Sequence, residues 1–344
     1  MGLIMKIRNK IGAVLFLIMA LSSCDSGDKE VSLFLYNEED LFVRKFSRQI
    51  ISMAGNSFNL QSFDAQNSQI LQNETIENQI NEGCDLMLIN PVDRLGSYSI
   101  IKRLRSEGIP VILFNREPLL KDLLLWDNTW YVGARAEQSG QMQADLVMEL
   151  FGDDPENLNE YDRNRDGRIQ TIILKGEQGH QDAEIRTSEV VRSFRLKGFN
   201  LDILATEVAN WDRDEAYEKM GDLIKTFDGG IELVLSNNDA MALGAINRMR
   251  QSGMFADSNG NGRVDRHDED WIPVLGIDGI DQAVEQIQEG FLYGTVLNDS
   301  ATMARAIIEL AEAVLSEKSL DELSFSIEEG KYIWIDYQVF TLEN

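Results

Sequence analysis

The chain of 344 residues is 43% hydrophobic and 26% charged, a balance that suits about two globular domains and excludes a fibrous or disordered chain. Its 58 acidic residues outnumber 32 basic ones, giving a net charge of −26; that field repels phosphate backbones and excludes nucleic acid as the expected partner. Two cysteines exclude a disulfide-framework fold.

The first element is a leader. Lys6, Arg8 and Lys10 precede an apolar run, Ile11 to Leu21, broken only by Gly12. At about 11 residues the run is too short to span a bilayer as a mature helix but fits the apolar core of a signal peptide. It ends in Leu21-Ser22-Ser23-Cys24, which resembles the lipobox of bacterial lipoproteins. That resemblance implies cleavage before Cys24, acylation of its thiol and a lipid-anchored protein outside the cytoplasm. Residues 1–23 are then the leader and residues 24–30 a tether. Removing three basic residues and no acidic ones takes the net charge from −26 to −29. No later apolar run reaches 18 residues, so the remainder is not expected to span a membrane. Cys84 lies in the apolar stretch Cys84 to Ile89 and reads as a buried small hydrophobe.

Strands and helices then alternate. Val31 to Tyr36 is a β-rich run; Leu41 to Ala54 spaces Phe42, Val43, Phe46, Ile50 and Ile51 with helical period. Phe58 to Phe63 alternates as a strand, and residues 69–80 return to a helical pattern. Leu86 to Asn90 and Val111 to Asn115 are apolar runs closed by Asn. After Tyr131 the rhythm restarts. Strands are expected at 171–174, 201–208, 233–235, 274–277 and 293–297, with helices at 136–151, 183–197, 213–226, 239–251 and 300–316. Fully apolar strands separated by amphipathic helices indicate parallel sheets covered on both faces. The expected class is α/β, a doubly wound architecture built twice.

In such sheets ligands bind beyond the carboxyl ends of the strands. Polar residues recur there: Asp40, Asn115, the run from Glu177 through His180 to Asp182, then Trp211, Asn238, Asp278 and Asn298. Arg186 follows Asp182 by one helical turn. Asn and Asp are common turn residues, but seven such strand ends exceed what turn chemistry requires. Carboxylates and amides suit neutral hydroxyls, and an aromatic ring covers an apolar sugar face. A phosphate would call for a P-loop or a G-x-G-x-x-G turn, and neither is present.

The segments Phe114-Asn-Arg-Glu-Pro118, Lys175 to Arg186, Asn237 to Ala242 and Gly294 to Asp299 resemble the bacterial galactose/glucose-binding proteins, type I periplasmic binding proteins that feed an ABC sugar importer. The resemblance runs from about Val31 past Ala311. It implies two Rossmann-like lobes joined by a three-segment hinge, residues 31–133 with 298–330 and residues 134–297 with 331–344. The lobes would close on D-glucose or D-galactose and hand it to the permease. It also implies the sugar contacts: Asp40 at the hydroxyl of carbon 4, Phe42 and Trp211 on the two ring faces, and Asn115, His180, Asp182, Arg186, Asn238, Asp278 and Asn298 as the hydrogen-bond cage. The protein is expected to act as a monomer, with a chemoreceptor as a further possible partner.

Two loops have calcium-ligand spacing. Asp162, Asn164, Asp166 and Gln170 place oxygen donors at positions 1, 3, 5 and 9, with Gly167 at position 6 and the carbonyl of Arg168 at position 7. Position 12 is Ile173 rather than an acid; the resemblance implies that Glu232 supplies the missing carboxylate. Asp257, Asn259, Asn261, Arg263 and Asp265 repeat the pattern, with Asp268 at position 12. One structural calcium is expected, and a second at the later loop stands open.

Two other functions compete. A sugar-modifying enzyme would use His180, Asp182 and Arg186, but no nucleophile motif or carboxylate pair for glycoside cleavage is present. A sugar-responsive repressor would need an N-terminal helix-turn-helix and a basic surface, where this chain has a leader and strong negative charge.

Overall fold

The computed structural model describes residues 29–342 apart from residues 228 and 267; the leader and Cys24 lie outside the described residues. The first lobe is wound from β1 (Glu30–Leu35), α1 (Leu41–Ala54), β2 (Asn59–Asp64), α2 (Gln69–Glu82), β3 (Leu86–Ile89), α3 (Ser97–Glu107), β4 (Val111–Phe114), α4 (Leu120–Leu123) and β5 (Thr129–Gly133). Its central strands β3 and β4 are buried at every position, as expected where helices cover both faces of a parallel sheet. The edge strand β2 is half exposed.

The chain crosses after Gly133 into the second lobe. There it forms α5 (Ala136–Leu150), β6 (Ile169–Lys175), α6 (Gln181–Lys197), β7 (Leu201–Val208), α7 (Arg213–Phe227), β8 (Leu233–Ser236), α8 (Asp239–Gln251), β9 (Val274–Asp278), α9 (Asp281–Gln288) and β10 (Gly294–Leu297). A second crossing at Asn298–Asp299 leads to α10 (Ser300–Leu315), which packs on α1 and β5 of the first lobe. The chain then adds β11 (Tyr332–Trp334), parallel to β5, and β12 (Gln338–Thr341), antiparallel to β10.

Each sheet therefore has six strands, in the orders β11-β5-β4-β3-β1-β2 and β12-β10-β9-β8-β6-β7. The third crossing is the short span 335–337. This corrects the division at residue 330, which assigned all of 331–344 to the second lobe: Tyr332, Ile333 and Trp334 pair with Tyr131, Val132 and Gly133. A three-residue strand carries too little pattern to reveal which sheet it will join. Among the described residues no helix is long and apolar enough to cross a membrane.

Candidate functional site

All ten residues expected at the sugar site line one chamber between the lobes, at the carboxyl ends of the strands. Two more residues line it that the sequence reading did not select, Tyr36 and Arg116.

The first lobe supplies an acidic corner. Asp40 caps α1, its Oδ1 accepting from the Val43 amide at 3.0 Å. Its Oδ2 accepts from the Tyr36 hydroxyl. Burial, then the Asp40 charge, pushes the Tyr36 phenol well above its usual range, so it stays a donor. The Arg116 guanidinium lies 3.7 Å from the centre of the Tyr36 ring, a cation–π contact, and donates to the Val92 carbonyl. Phe42 is buried on α1. Asn115 has φ 62 at the end of β4. Arg116 stood inside the Phe114-to-Pro118 segment, so its signal was adjacency to Asn115.

The second lobe supplies most of the cage. His180 caps α6, with Nδ1 accepting from the Asp182 amide at 3.2 Å. That bond assigns the ring proton to Nε2, leaving a donor for a ligand. Burial, with Arg116 and Arg186 nearby, lowers the His180 pKa to about 3, so the ring is neutral at physiological pH. Arg186 is buried between Asp182 and Asp278, 3.7 Å from each. Its Nη1 donates to the Asn237 carbonyl at 2.6 Å and its Nη2 to the Tyr337 hydroxyl at 3.1 Å. Burial works against its charge, yet Tyr337, Asp278 and Asp182 together raise its pKa. Burial raises the pKa of both Asp182 and Asp278, and Arg186 opposes each shift.

Trp211 stands edge-on to His180, ring centres 5.2 Å apart. It packs so closely on Gly176 that a Cβ there would come 2.3 Å from the indole. Asn238 caps α8 through the Met241 amide and donates from Nδ2 to the Trp211 carbonyl at 3.2 Å. Asn298 lies buried on the second crossing. Asn115, Trp211 and Asp278 all have positive φ, at 62, 66 and 123. Such strain in non-glycine residues persists only where the surroundings over-determine it, and it gathers at functional sites.

Asn298 Oδ1 and Arg186 Nε are buried without a protein partner, which costs free energy that a ligand hydroxyl would recover. The chamber thus offers carboxylate acceptors, amide and imidazole donors and aromatic surface. Among the described residues no serine, threonine or cysteine lines it, and a histidine with pKa about 3 is a poor base near neutrality. Such an arrangement has the donors and acceptors to hold a neutral polyol.

The two calcium-type loops share one hydrogen-bond skeleton. Asp162 accepts from the Asp166 and Gly167 amides; Asp257 accepts from those of Asn261 and Gly262. Asn164 and Asp166 take the amides of Asp166 and Arg168, and Asn259 and Asn261 take those of Asn261 and Arg263. Gly167 and Gly262 turn the chain with φ 73 and 80. Buried Glu232, from the residue preceding β8, accepts from the amides of Arg163, Asn164 and Gln170. In the second loop the matching carboxylate is Glu269, not Asp268. Glu269 accepts from the amides of Ser258, Asn259 and Asp265. The amides of both Asp268 and Glu269 reach the Asp265 carbonyl, and it is Glu269, one residue past position 12, whose carboxylate takes the loop's amides.

The first loop fits a calcium ion. Gln170 Oε1 is buried without a partner, an orphaned hard oxygen beside Asp162, Asp166 and Glu232. Among the described residues no three His, Cys, Asp or Glu side chains cluster as a metal site; the carboxylates of Asp162, Asp166 and Glu232 accept backbone amides instead. The second loop has the same skeleton with more exposed side chains.

The profile of the periplasmic binding protein domain matches residues 37–319. Relatives include the D-galactose/methyl-galactoside binding periplasmic protein MglB of Haemophilus influenzae. It is 31% identical over 304 residues, covering 88% of this chain and 86% of that one. The xylitol-binding protein of Mycolicibacterium smegmatis is 26% identical over 323 residues, covering 90% and 82%. A solved ABC transporter solute binding protein from Bacillus halodurans C-125, with bound myo-inositol, superposes with TM-score 0.74 at 25% identity, covering 94% of this chain and 97% of that one. These relatives are solute-binding proteins, not enzymes. With its two doubly wound lobes and its interlobe chamber, the chain belongs to the periplasmic binding protein family, in the type I architecture.

Proposed function

We propose that the protein is the sugar-binding component of an ABC importer, takes D-glucose or D-galactose between its lobes, and presents the closed form to the membrane permease. The observation that carries this reading is the chamber itself. Asp40, Asp182 and Asp278 accept hydroxyl protons, while Arg186, His180 Nε2 and the amides of Asn115, Asn238 and Asn298 donate to ring and hydroxyl oxygens. Phe42 and Trp211 cover the apolar ring faces. Hinge closure over the three crossings would bury the ligand. The relative that binds D-galactose and methyl-galactoside favours a hexose over the polyols bound by others. Calorimetric titration with glucose, galactose, ribose, xylose and myo-inositol tests the assignment: a hexose should bind most tightly, and binding of pentose or inositol alone would overturn it.

We further propose that Asp162, Asn164, Asp166, Gln170, Glu232 and the Arg168 carbonyl hold a structural calcium. Bound there, the ion would tie the 162–170 loop to the residue preceding β8. A second ion would sit at the 257–269 loop, closed by Glu269. Binding to the folded state alone raises stability by mass action, so chelation should lower the melting temperature. Metal counting by native mass spectrometry separates one ion from two. Lipid attachment at Cys24 would keep the receptor at the membrane surface; globomycin-sensitive processing, or a mature mass lacking the acyl increment, decides that point.

A further inference from the structure

The chamber is the inner part of a longer space. Taken alone it encloses about 40 Å³, far below the ~300–1,000 Å³ of small-molecule sites. It shares Tyr36, Asp40, Arg116 and Trp211 with an outer cavity of about 570 Å³ that also lies between the lobes. A pyranose ring held against Phe42 and Trp211 would therefore reach the outer cavity along those shared walls.

The outer cavity is not simply the gape of an open cleft, because the lobes already touch on its flanks. On one side Lys45 of α1 donates to the Gly279 carbonyl at 2.9 Å and pairs with Asp281 at 2.8 Å. On the other, Gln181 donates to Glu117 at 2.7 Å, and Arg116 lies 3.5 Å from Glu177. The space persists between these bridges. Its floor is held by two successive non-glycine residues at positive φ, Asn210 at 48 and Trp211 at 66, a costly arrangement that a plain surface turn does not need. Glu39, Glu177, Asp212 and Asp214 outnumber Arg116 and Arg213 in its walls, so an anionic group is disfavoured and a neutral, hydroxyl-rich one is suited.

We propose that the ligand class extends to neutral hexose disaccharides, with one ring in the inner chamber and the second in the outer cavity. The proposal rests on the sugar-binding reading above. Glu39 and Gln282 are exposed cavity-wall residues from opposite lobes, and both lie outside the inner chamber. Calorimetric titration of the purified full-length protein with glucose, galactose, cellobiose, lactose and maltose provides the test. At least one disaccharide should bind within about tenfold of the better monosaccharide, about 1.4 kcal/mol. Gln282→Trp, which fills the cavity, should weaken that disaccharide by about tenfold or more and leave the monosaccharide within about twofold. Glu39→Ala should weaken the disaccharide selectively by a smaller factor. Tight monosaccharide binding with every disaccharide more than about tenfold weaker overturns the proposal and leaves the hexose reading intact. Equal loss of both ligand classes in Gln282→Trp also overturns it. Failure of all five sugars to bind removes the sugar reading on which it stands.

Discussion

The two lobes are built alike and equipped unequally. Each has six strands in the same winding order, yet the first contributes Tyr36, Asp40, Phe42, Asn115 and Arg116 to the chamber while the second contributes His180, Asp182, Arg186, Trp211, Asn238 and Asp278. The second lobe also carries the buried Arg186 triad and both calcium-type loops. The difference teaches a division of labour: the second lobe fixes most of the cage through its own buried contacts around Arg186, and the first adds the Tyr36–Asp40 corner.

That asymmetry can be broken by mutation. The largest effect should come from Arg186→Gln, which strands the buried carboxylate of Asp278 and the half-buried one of Asp182; losing one partner of a buried charge cluster costs ~3–5 kcal/mol. Thermal melts should show a marked loss of stability, and calorimetry a loss of sugar binding. Trp211→Ala should cost ~2–4 kcal/mol of affinity, a loss of roughly 30-fold to 1000-fold, with the fold retained. Phe42→Ala in the first lobe should cost less. Equal losses at Phe42 and Trp211 in the same titration would erase the distinction between the lobes.

A finer test contrasts the two loops. Glu232→Gln removes a buried carboxylate that accepts from three backbone amides and should destabilise by ~1–3 kcal/mol. It should also abolish most of the chelator-induced drop in melting temperature. The chelator response of Glu232→Gln matching that of the parent would place the structural ion elsewhere.

Acid titration probes His180. Its folded pKa of about 3 lies below the usual 6.5, so the unfolded chain binds the proton first. The neutral ring's contribution to stability is present above pH 6.5 and is lost as pH falls toward 3, at ~1.4 kcal/mol per pH unit. Asp182 and Asp278, with raised values, run the opposite way, so the comparison must be with His180→Asn. Relative to that variant the parent should lose stability steadily below pH 6.5 in chemical denaturation; parallel curves would show that the ring is solvated. The smallest effect is expected for the half-buried Glu269→Gln, a shift in melting temperature below that of Glu232→Gln.

Most of this architecture was legible because it rests on patterns longer than a single turn. Apolar strands such as 86–89 and 111–114 announce a doubly covered sheet, and polar residues at strand ends mark the ligand edge. What stayed hidden was decided by tertiary partners. The strands β11 and β12 span only Tyr332–Trp334 and Gln338–Thr341, and their sheet membership depends on β5 and β10 rather than on their own composition. Arg116 reads as an ordinary surface cation until Tyr36 comes within 3.7 Å of it. Glu269 rather than Asp268 takes the amides of Ser258, Asn259 and Asp265, a choice made by tertiary placement and not by the position-12 count. Asp239 was expected only as part of a helix start. In the structure it is fully buried and ties the β8 end to the Ile280 amide and the Thr295 hydroxyl, a bracing contact with no linear signature.

The split of the chain's last strands bears on when the protein can fold. The first lobe lacks α10 against α1 and β11 against β5 until residues beyond 299 are available, and the second lobe lacks its edge strand until Gln338–Thr341 arrives. Neither sheet has its full set of six strands until residues 332–341 are in place. Domains that complete early are normally formed during synthesis; here both must wait for the same final segment. Residues 332–341 thus act as a clasp, one short segment that finishes both sheets and couples the completion of one lobe to that of the other.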